Sequence, residues 1–137
     1  MRSKKGFTLI ELLAVITILG VISLIAVPIV TSIIQNSSKN ILISNEKLLS
    51  KAAENYYKMN TYLLPNNISN VKGINLDTLI EEGYTELIKN PRQPSLICDG
   101  YVLVEKVSSK KYKYQPYLDC GKGLITDGYY DNLHYIE

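Results

Sequence analysis

Residues 4–34 read KKGFTLIELLAVITILGVISLIAVPIVTSII, an apolar run that follows two lysines and a glycine. Glu11 is the only charged residue between Lys5 and Lys39, so the 23 residues at positions 12–34 are all uncharged. A helix of this length, which rises about 1.5 Å per residue, spans the roughly 30 Å hydrocarbon core of a bilayer. The run therefore predicts one helix that can cross a membrane.

The leader ahead of the apolar run is basic, with Arg2, Lys4 and Lys5 among its first six residues. Positive charge on that side favours a cytoplasmic amino terminus, so we expect the rest of the chain to be exported. The run is too long for a cleaved secretory signal, and no convincing Ala-x-Ala site follows it. A plain signal anchor leaves Glu11 unexplained, because a carboxylate within a membrane segment is costly and is usually paired.

The ten residues from Lys4 to Leu13 resemble the leader and start of a type IV prepilin or pseudopilin. The resemblance implies that prepilin peptidase cuts between Gly6 and Phe7 and methylates the new amino terminus of Phe7. It also implies that Glu11 pairs with the free amino terminus of a neighbouring subunit during assembly. An ammonium and a carboxylate in hydrocarbon neutralise each other, which fits that assignment.

Pro28 interrupts the hydrogen bonding of the predicted helix. A proline inside an apolar helix removes one backbone hydrogen bond and bends or locally opens the helix. Pilin stalks similar to this one have a proline at about this depth, so the resemblance implies that the helix opens here in the filament. A tolerated kink near the outer end of a membrane helix is the alternative.

The remainder of the chain is polar and electrically balanced. The 137 residues include 15 Lys and Arg against 13 Asp and Glu, a length that excludes a multi-domain enzyme. From Lys39 onward the count is 12 against 12, so the basic footprint of a nucleic-acid-binding domain is absent. Lysines and tyrosines interleave at residues 106–114, which could form a nucleic-acid patch but is also typical of a strand with one solvated face. We expect no specific nucleic-acid partner.

Helical periodicity continues beyond the apolar run. Apolar residues recur at helical spacing at Ile41, Leu42, Leu48, Leu49, Ala52, Ala53, Tyr56 and Met59. We therefore expect an amphipathic helix that continues to about Tyr62, with this stripe packed on a sheet, and that stops before Pro65. A second, short helix is expected over 77–83, with Asp77 as its N-cap, acidic residues near its start and Gly83 at its end.

Strand signals follow. Residues 101–107 are β-branched and aromatic, residues 108–110 form a turn, and residues 111–115 alternate at period two, which together predict an antiparallel hairpin. Residues 124–136 are expected to add a short strand after the turn at Asp127 and Gly128. The elements predict an α+β, pilin-like fold in which a long N-terminal transmembrane and amphipathic helix packs on a small antiparallel sheet.

The two cysteines, Cys98 and Cys120, flank the predicted hairpin. Their spacing lacks a zinc or C-x-x-C signature. A structural disulfide is expected if the head is exported, whereas two buried thiols would fit a reducing compartment. Pilins similar to this layout also enclose a carboxy-terminal loop between two cysteines.

The sequence predicts neither a catalytic site nor a metal or cofactor site. His134 is the only histidine, with Asp131 three residues before it, and no motif supplies a nucleophile or further ligands. Glu81 and Glu82 are explained by the amino terminus of the short helix. Residues 121–123, Gly-Lys-Gly, lack the rest of a phosphate-binding loop.

These observations predict a prepilin leader at 1–6, a transmembrane and assembly helix at 7–34 and an exported head at 35–137. The resemblance implies a structural subunit of a type IV pilus or a type II secretion-like pseudopilus. Its implied partners are other pilin subunits, prepilin peptidase acting also as methyltransferase, an inner-membrane assembly platform and membrane lipid. The alternative is a membrane-anchored exported binding domain that does not polymerise.

Overall fold

The computed structural model describes residues 6–130 of the chain. Its elements are helix α1 at Leu9–Met59, a 3-10 turn at Thr61–Leu63, strand β1 at Val71–Asn75, helix α2 at Leu76–Glu81, strand β2 at Asp99–Ser108 and strand β3 at Lys111–Asp119. The long N-terminal helix packs on a three-stranded antiparallel sheet, so the predicted α+β fold is confirmed.

The chain divides between Ser37 and Ser38 into two compact units. In the first unit, α1 exposes its apolar side chains on every side: each large apolar residue from Leu9 to Ile34 is at least 51% exposed. By length and composition, α1 is the one helix within residues 6–130 that could cross a membrane. The helix continues through Pro28 without a break in its assignment.

The second unit has its own core, and α1 contributes one face to it. The buried positions follow the spacing of a single helical stripe: Leu42, Leu49, Ala52, Ala53 and Tyr57. Three members of the predicted stripe are exposed instead: Ile41, Leu48 and Met59. Each points roughly 100° away from the centre of the buried row, just beyond its edge at Ala52. The prediction missed Tyr57, which is only 1% exposed.

Helix α1 ends at Met59, three residues before the predicted end at Tyr62. The side-chain amide of Asn60 donates to the Tyr56 carbonyl at 2.9 Å, and the Asn60 backbone amide donates to the same carbonyl at 3.0 Å. Asparagine competes in this way for backbone groups and favours helix ends. The chain then enters the 3-10 turn rather than a further α-helical turn.

The sheet has the strand order β1-β2-β3, and all pairs are antiparallel. The predicted hairpin is present and longer than expected, with an irregularity between Lys106 and Ser108. Residues 111–115 alternate between exposed and half-buried, so Tyr112 and Tyr114 face the core as period two predicts. Strand β1 was not predicted, because Lys, Gly and Asn at three of its five positions weaken the strand signal of Val71 and Ile74, and the strand depends on the edge of β2 for its hydrogen bonds.

The predicted cap of the short helix is wrong. Helix α2 begins at Leu76 with Asn75 in the N-cap position, and Asp77 lies within the first turn. Because the helix starts and ends earlier than predicted, Glu81 is its last residue and Glu82 its C-cap. Both glutamates are exposed, but they lie at the carboxyl end of the helix, so the attribution to its amino terminus is also wrong.

The segment after β3 makes only an isolated bridge, between Asp119 and Ile125, within the residues described as far as 130. The predicted short strand after the turn at Asp127 and Gly128 is not formed at Tyr129 and Tyr130. Its last part, together with Asp131 and His134, lies outside the described residues. Near the end of the described chain, the Tyr101 ring stacks on Tyr117 and Tyr129 at centroid distances of 5.1 and 5.4 Å.

Candidate functional site

The first turn of α1 is closed by two reciprocal hydrogen bonds. The Glu11 amide donates to Thr8 Oγ1 at 3.2 Å, and the Thr8 amide donates to Glu11 Oε2 at 3.3 Å. This is a capping box, which satisfies two of the amides that a helix start leaves free. The Glu11 carboxylate therefore lies against the backbone of its own chain, at the positive end of the helix dipole.

Thr8 was not singled out from the sequence, although the signal for its role is present. Threonine followed three positions later by glutamate, directly ahead of an apolar helix, is the pattern of a capping box. From the sequence, the implied partner of Glu11 is the amino terminus of a neighbouring subunit. The structure shows that the same carboxylate has a local partner before any second subunit is present.

The predicted cleavage site lies ahead of this cap. Phe7 is 90% exposed, and no atom approaches within 4 Å of the position that a Cβ would take on Gly6. Both residues precede Leu9, the first residue of α1. Thr8 and Glu11 lie on the carboxyl side of the Gly6–Phe7 bond, so cleavage there leaves both capping side chains in the mature chain.

Two hydroxyl groups in the apolar part of α1 are satisfied within the helix itself. Thr17 donates to the Leu13 carbonyl at 2.7 Å, and Ser23 donates to the Leu19 carbonyl at 2.7 Å. Such bonds let hydroxyl side chains lie in an apolar environment at little cost, because no group is left without a partner.

Pro28 has no amide hydrogen to donate within the helix. Its carbonyl accepts a hydrogen bond from the Thr31 hydroxyl at 2.9 Å, and the helix remains continuous on both sides. The predicted opening of the helix belongs to the filament and stays a prediction.

In the head, a disulfide joins Cys98 and Cys120, which are 22 positions apart. Both residues are buried in the core. The Cys98 amide donates to the Ile88 carbonyl at 2.8 Å, and the Cys120 amide donates to the Leu124 carbonyl at 2.9 Å. The bridge therefore ties together the segment before β2, the end of β3 and the loop that follows.

Asn90 connects this bridge to the proline-containing loop, a role that no pattern in the sequence indicated. It is 0% exposed. Its Nδ2 donates to the carbonyls of Cys120 and Gly121 at 2.8 and 3.1 Å, while its Oδ1 accepts from the amides of Arg92 and Gln93 at 2.8 and 3.2 Å. The side chain is satisfied at both ends, as a buried amide requires.

A second long-range contact joins α1 to the carboxy-terminal loop. The Thr126 hydroxyl donates to Glu46 Oε1 at 2.6 Å and accepts from the Leu118 amide at 3.0 Å. The partners are 80 positions apart in the sequence, so no local pattern indicates this contact.

The remaining candidates do not converge on one site. Gly121 and Gly123 have φ angles of 74° and 80°, with Lys122 at 55° between them, so these residues form a tight left-handed turn after Cys120. Within residues 6–130, no group of three or more His, Cys, Asp or Glu side chains is arranged to hold a metal ion.

The sequence matches the family model of the prokaryotic N-terminal methylation motif over residues 1–27. This is the cleavage and methylation signature of type IV pilin-like proteins, and it contains Gly6, Phe7 and Glu11. The resemblance found in the sequence is therefore confirmed over these residues, and the motif supports a precursor of the type IV pilin-like or pseudopilin-like kind. No curated protein and no solved structure matches the chain.

Proposed function

We propose that this protein is a structural subunit of a type IV pilus or a type II secretion-like pseudopilus, without a catalytic role of its own. One observation carries the proposal. The cleavage and methylation motif leads directly into a helix whose large apolar side chains are all at least 51% exposed from Leu9 to Ile34. A surface of this kind is stable only in lipid or against other apolar helices.

In the proposed pathway the chain first lies in the cell membrane with its amino terminus cytoplasmic and its head exported. Prepilin peptidase removes residues 1–6 and methylates Phe7. An assembly platform in the inner membrane then moves the subunit from lipid into a filament, where neighbouring stalks replace the lipid around α1. The export of the head agrees with the disulfide between Cys98 and Cys120, which persists in oxidising compartments.

Glu11 has different partners at the two stages of this proposal. In the single subunit its carboxylate accepts from the Thr8 amide. In the filament the new ammonium group of Phe7 on a neighbouring subunit is a stronger partner, because the attraction between opposite charges grows where water is excluded. Removing one member of a buried ion pair leaves the other uncompensated, at a cost of about 3 to 5 kcal/mol per contact.

Two substitutions separate capping from charge pairing. Glu11→Ala removes the capping bond and the charge, whereas Glu11→Gln keeps a side-chain oxygen that can accept from the Thr8 amide and removes only the charge. Each variant should be the only copy in cells that carry the processing and assembly machinery. We expect both to reach normal membrane levels, to lose residues 1–6 and to fail to form filaments that can be sheared from the surface.

Three outcomes would contradict parts of the proposal. Normal filaments from Glu11→Gln would show that the charge is dispensable, and normal filaments from both variants would remove Glu11 from assembly. A parent chain that is processed and methylated at Phe7 but never enters a filament would favour the membrane-anchored, non-polymerising domain. Mass spectrometry of the mature amino terminus gives the processing result independently of assembly.

A further inference from the structure

The peptide bond that the motif marks for cleavage lies directly ahead of the first turn of α1. Gly6, Phe7 and Thr8 lie outside the helix, whose first residue is Leu9. Phe7 is 90% exposed, and beyond the chain neighbours of Gly6 no heavy atom lies within 4 Å of the position that its Cβ would take. The Gly6–Phe7 bond is therefore uncovered and lies outside the helical part of the chain.

Thr8 determines where the helix begins. Its carbonyl accepts from the Leu12 amide at 3.2 Å, as the carbonyl of an N-cap residue does. Its hydroxyl accepts from the Glu11 amide at 3.2 Å, and its own amide donates to the Glu11 carboxylate at 3.3 Å. The amides of Thr8 and Glu11 thus have partners without any carbonyl that precedes Thr8 in the chain.

The same amides have another way to find partners within the chain. In an α-helix each amide donates to the carbonyl four positions earlier, so the Glu11 amide would donate to the Phe7 carbonyl if the helix began one turn sooner. Such an extension would enclose the Gly6–Phe7 bond in the helix, and glycine weakens a helix without preventing it. Next to a membrane, where water is scarce, an amide without a partner is costly. A chain that lacks the capping box is therefore expected to extend its helix in this way.

We propose that Thr8 is a positioning residue for prepilin peptidase, because its capping box holds the start of α1 on the carboxyl side of the Gly6–Phe7 bond and keeps that bond in non-helical backbone. This role rests on the processing proposed above. Hydrolysis adds water to the Gly6 carbonyl carbon, breaks the bond to the Phe7 nitrogen and leaves a Gly6 carboxylate and a Phe7 ammonium. In a helix that began one turn sooner, the Gly6 carbonyl would instead accept from the Ile10 amide, and backbone held by such bonds resists proteolysis.

The test uses the full chain in a non-ionic detergent with purified prepilin peptidase, and mass spectrometry follows the loss of residues 1–6 with time. Two variants separate capping from direct recognition of the side chain. Thr8→Val keeps the branched shape of threonine and removes the capping hydroxyl, whereas Thr8→Asn changes the shape and keeps a strong N-cap. We expect Thr8→Asn to be cut like the parent and Thr8→Val to be cut more slowly. The matched control is Thr17→Val, the same chemical change at a hydroxyl that bonds to the Leu13 carbonyl within the helix, and it should be cut like the parent.

The defect of Thr8→Val should lie in KM rather than in kcat. An N-cap side chain typically shifts the balance between two helix starts by roughly fivefold, and apparent affinity falls with the fraction of chains in the form that can bind. We therefore expect KM to rise by up to about fivefold, while kcat stays near the parent value. The carbon-13 chemical shifts of Gly6 and Phe7 should move toward helical values in Thr8→Val and stay unchanged in Thr8→Asn. Such a slower reaction still goes to completion in cells, so the kinetics require purified components.

Three results would overturn the role given to Thr8. Equal kinetics of Thr8→Val and the parent would show that the cap does not control access to the bond. Slow cutting of Thr8→Asn would show that the peptidase recognises threonine itself. Slow cutting of Thr8→Val without a helical shift at Gly6 and Phe7 would show that the peptidase contacts the hydroxyl directly. If the parent chain is not cut at all, the processing proposed above is wrong, and this role is wrong with it.

Discussion

Replacing Asn90 by alanine tests how far the head depends on one buried side chain. The substitution removes four hydrogen bonds: two from Nδ2 to the carbonyls of Cys120 and Gly121, and two from the amides of Arg92 and Gln93 to Oδ1. Because Asn90 is 0% exposed, the groups it leaves behind have restricted access to water. Alanine cannot replace any of these bonds.

The expected loss follows from the number of bonds. A typical intramolecular hydrogen bond contributes a net 0.5 to 1.5 kcal/mol, so four bonds contribute about 4 kcal/mol to the free energy of unfolding. Small domains are stable by about 5 to 15 kcal/mol in total. The change at Asn90 is therefore expected to remove a large part of the stability of the head while the disulfide remains intact.

Urea unfolding of the full chain in detergent measures this loss, with tyrosine fluorescence as the signal, since the chain has 11 tyrosines and no tryptophan. The midpoint should fall while the slope stays constant. The matched control is Asn55→Ala, the same chemical change at an exposed helix position, which should stay within about 0.5 kcal/mol of the parent. A loss of less than about 1 kcal/mol for Asn90→Ala would refute the assignment of Asn90 as the link between the proline loop and the disulfide.

Three further predictions concern the head. Reducing the disulfide between Cys98 and Cys120, which are 22 positions apart, should lower the free energy of unfolding by roughly 3 kcal/mol. Denaturant titrations with and without reductant measure this change, and equal midpoints in the two titrations would contradict it. Gly100→Ala places a Cβ 2.5 Å from the Tyr117 carbonyl oxygen, so we expect the free energy of unfolding to fall by about 1 to 3 kcal/mol. An unchanged unfolding midpoint would show that β2 and β3 move apart there without cost. Burial raises the pKa of Tyr57 from 10.0 to about 12, so folding favours the neutral phenol. This contribution to the free energy of unfolding is complete below pH 10, and up to about 3 kcal/mol of it is lost as the pH rises from 10 to 12. In Tyr57→Phe the free energy of unfolding should fall less between pH 10 and pH 12 than in the parent, and a pH profile equal to that of the parent would contradict this prediction.

Local patterns were sufficient for the start of the chain. The resemblance of residues 4–13 to a prepilin leader was enough to recognise the methylation motif, because all its residues lie within ten positions of one another. The hairpin was also predictable, since period-two alternation at residues 111–115 reports directly which side chains face a core. The end of α1 was misplaced by three residues, because the Asn60 side chain competes locally for the Tyr56 carbonyl. The start of α2 was misplaced by one residue, and no side-chain hydrogen bond marks its N-cap, Asn75.

The sequence by itself determined the apolar helix, the amphipathic stripe that follows it, the hairpin and the processing motif. Each of these features depends only on residues that are close together in the chain. Only the tertiary structure decided that VKGIN pairs with β2 as a strand, that Asn90 holds the end of β3 and that Thr126 reaches Glu46 across 80 positions. It also decided that Tyr57 rather than Met59 enters the core. These contacts join residues far apart in the chain, and their free energy exists only once the helix and the sheet have packed together.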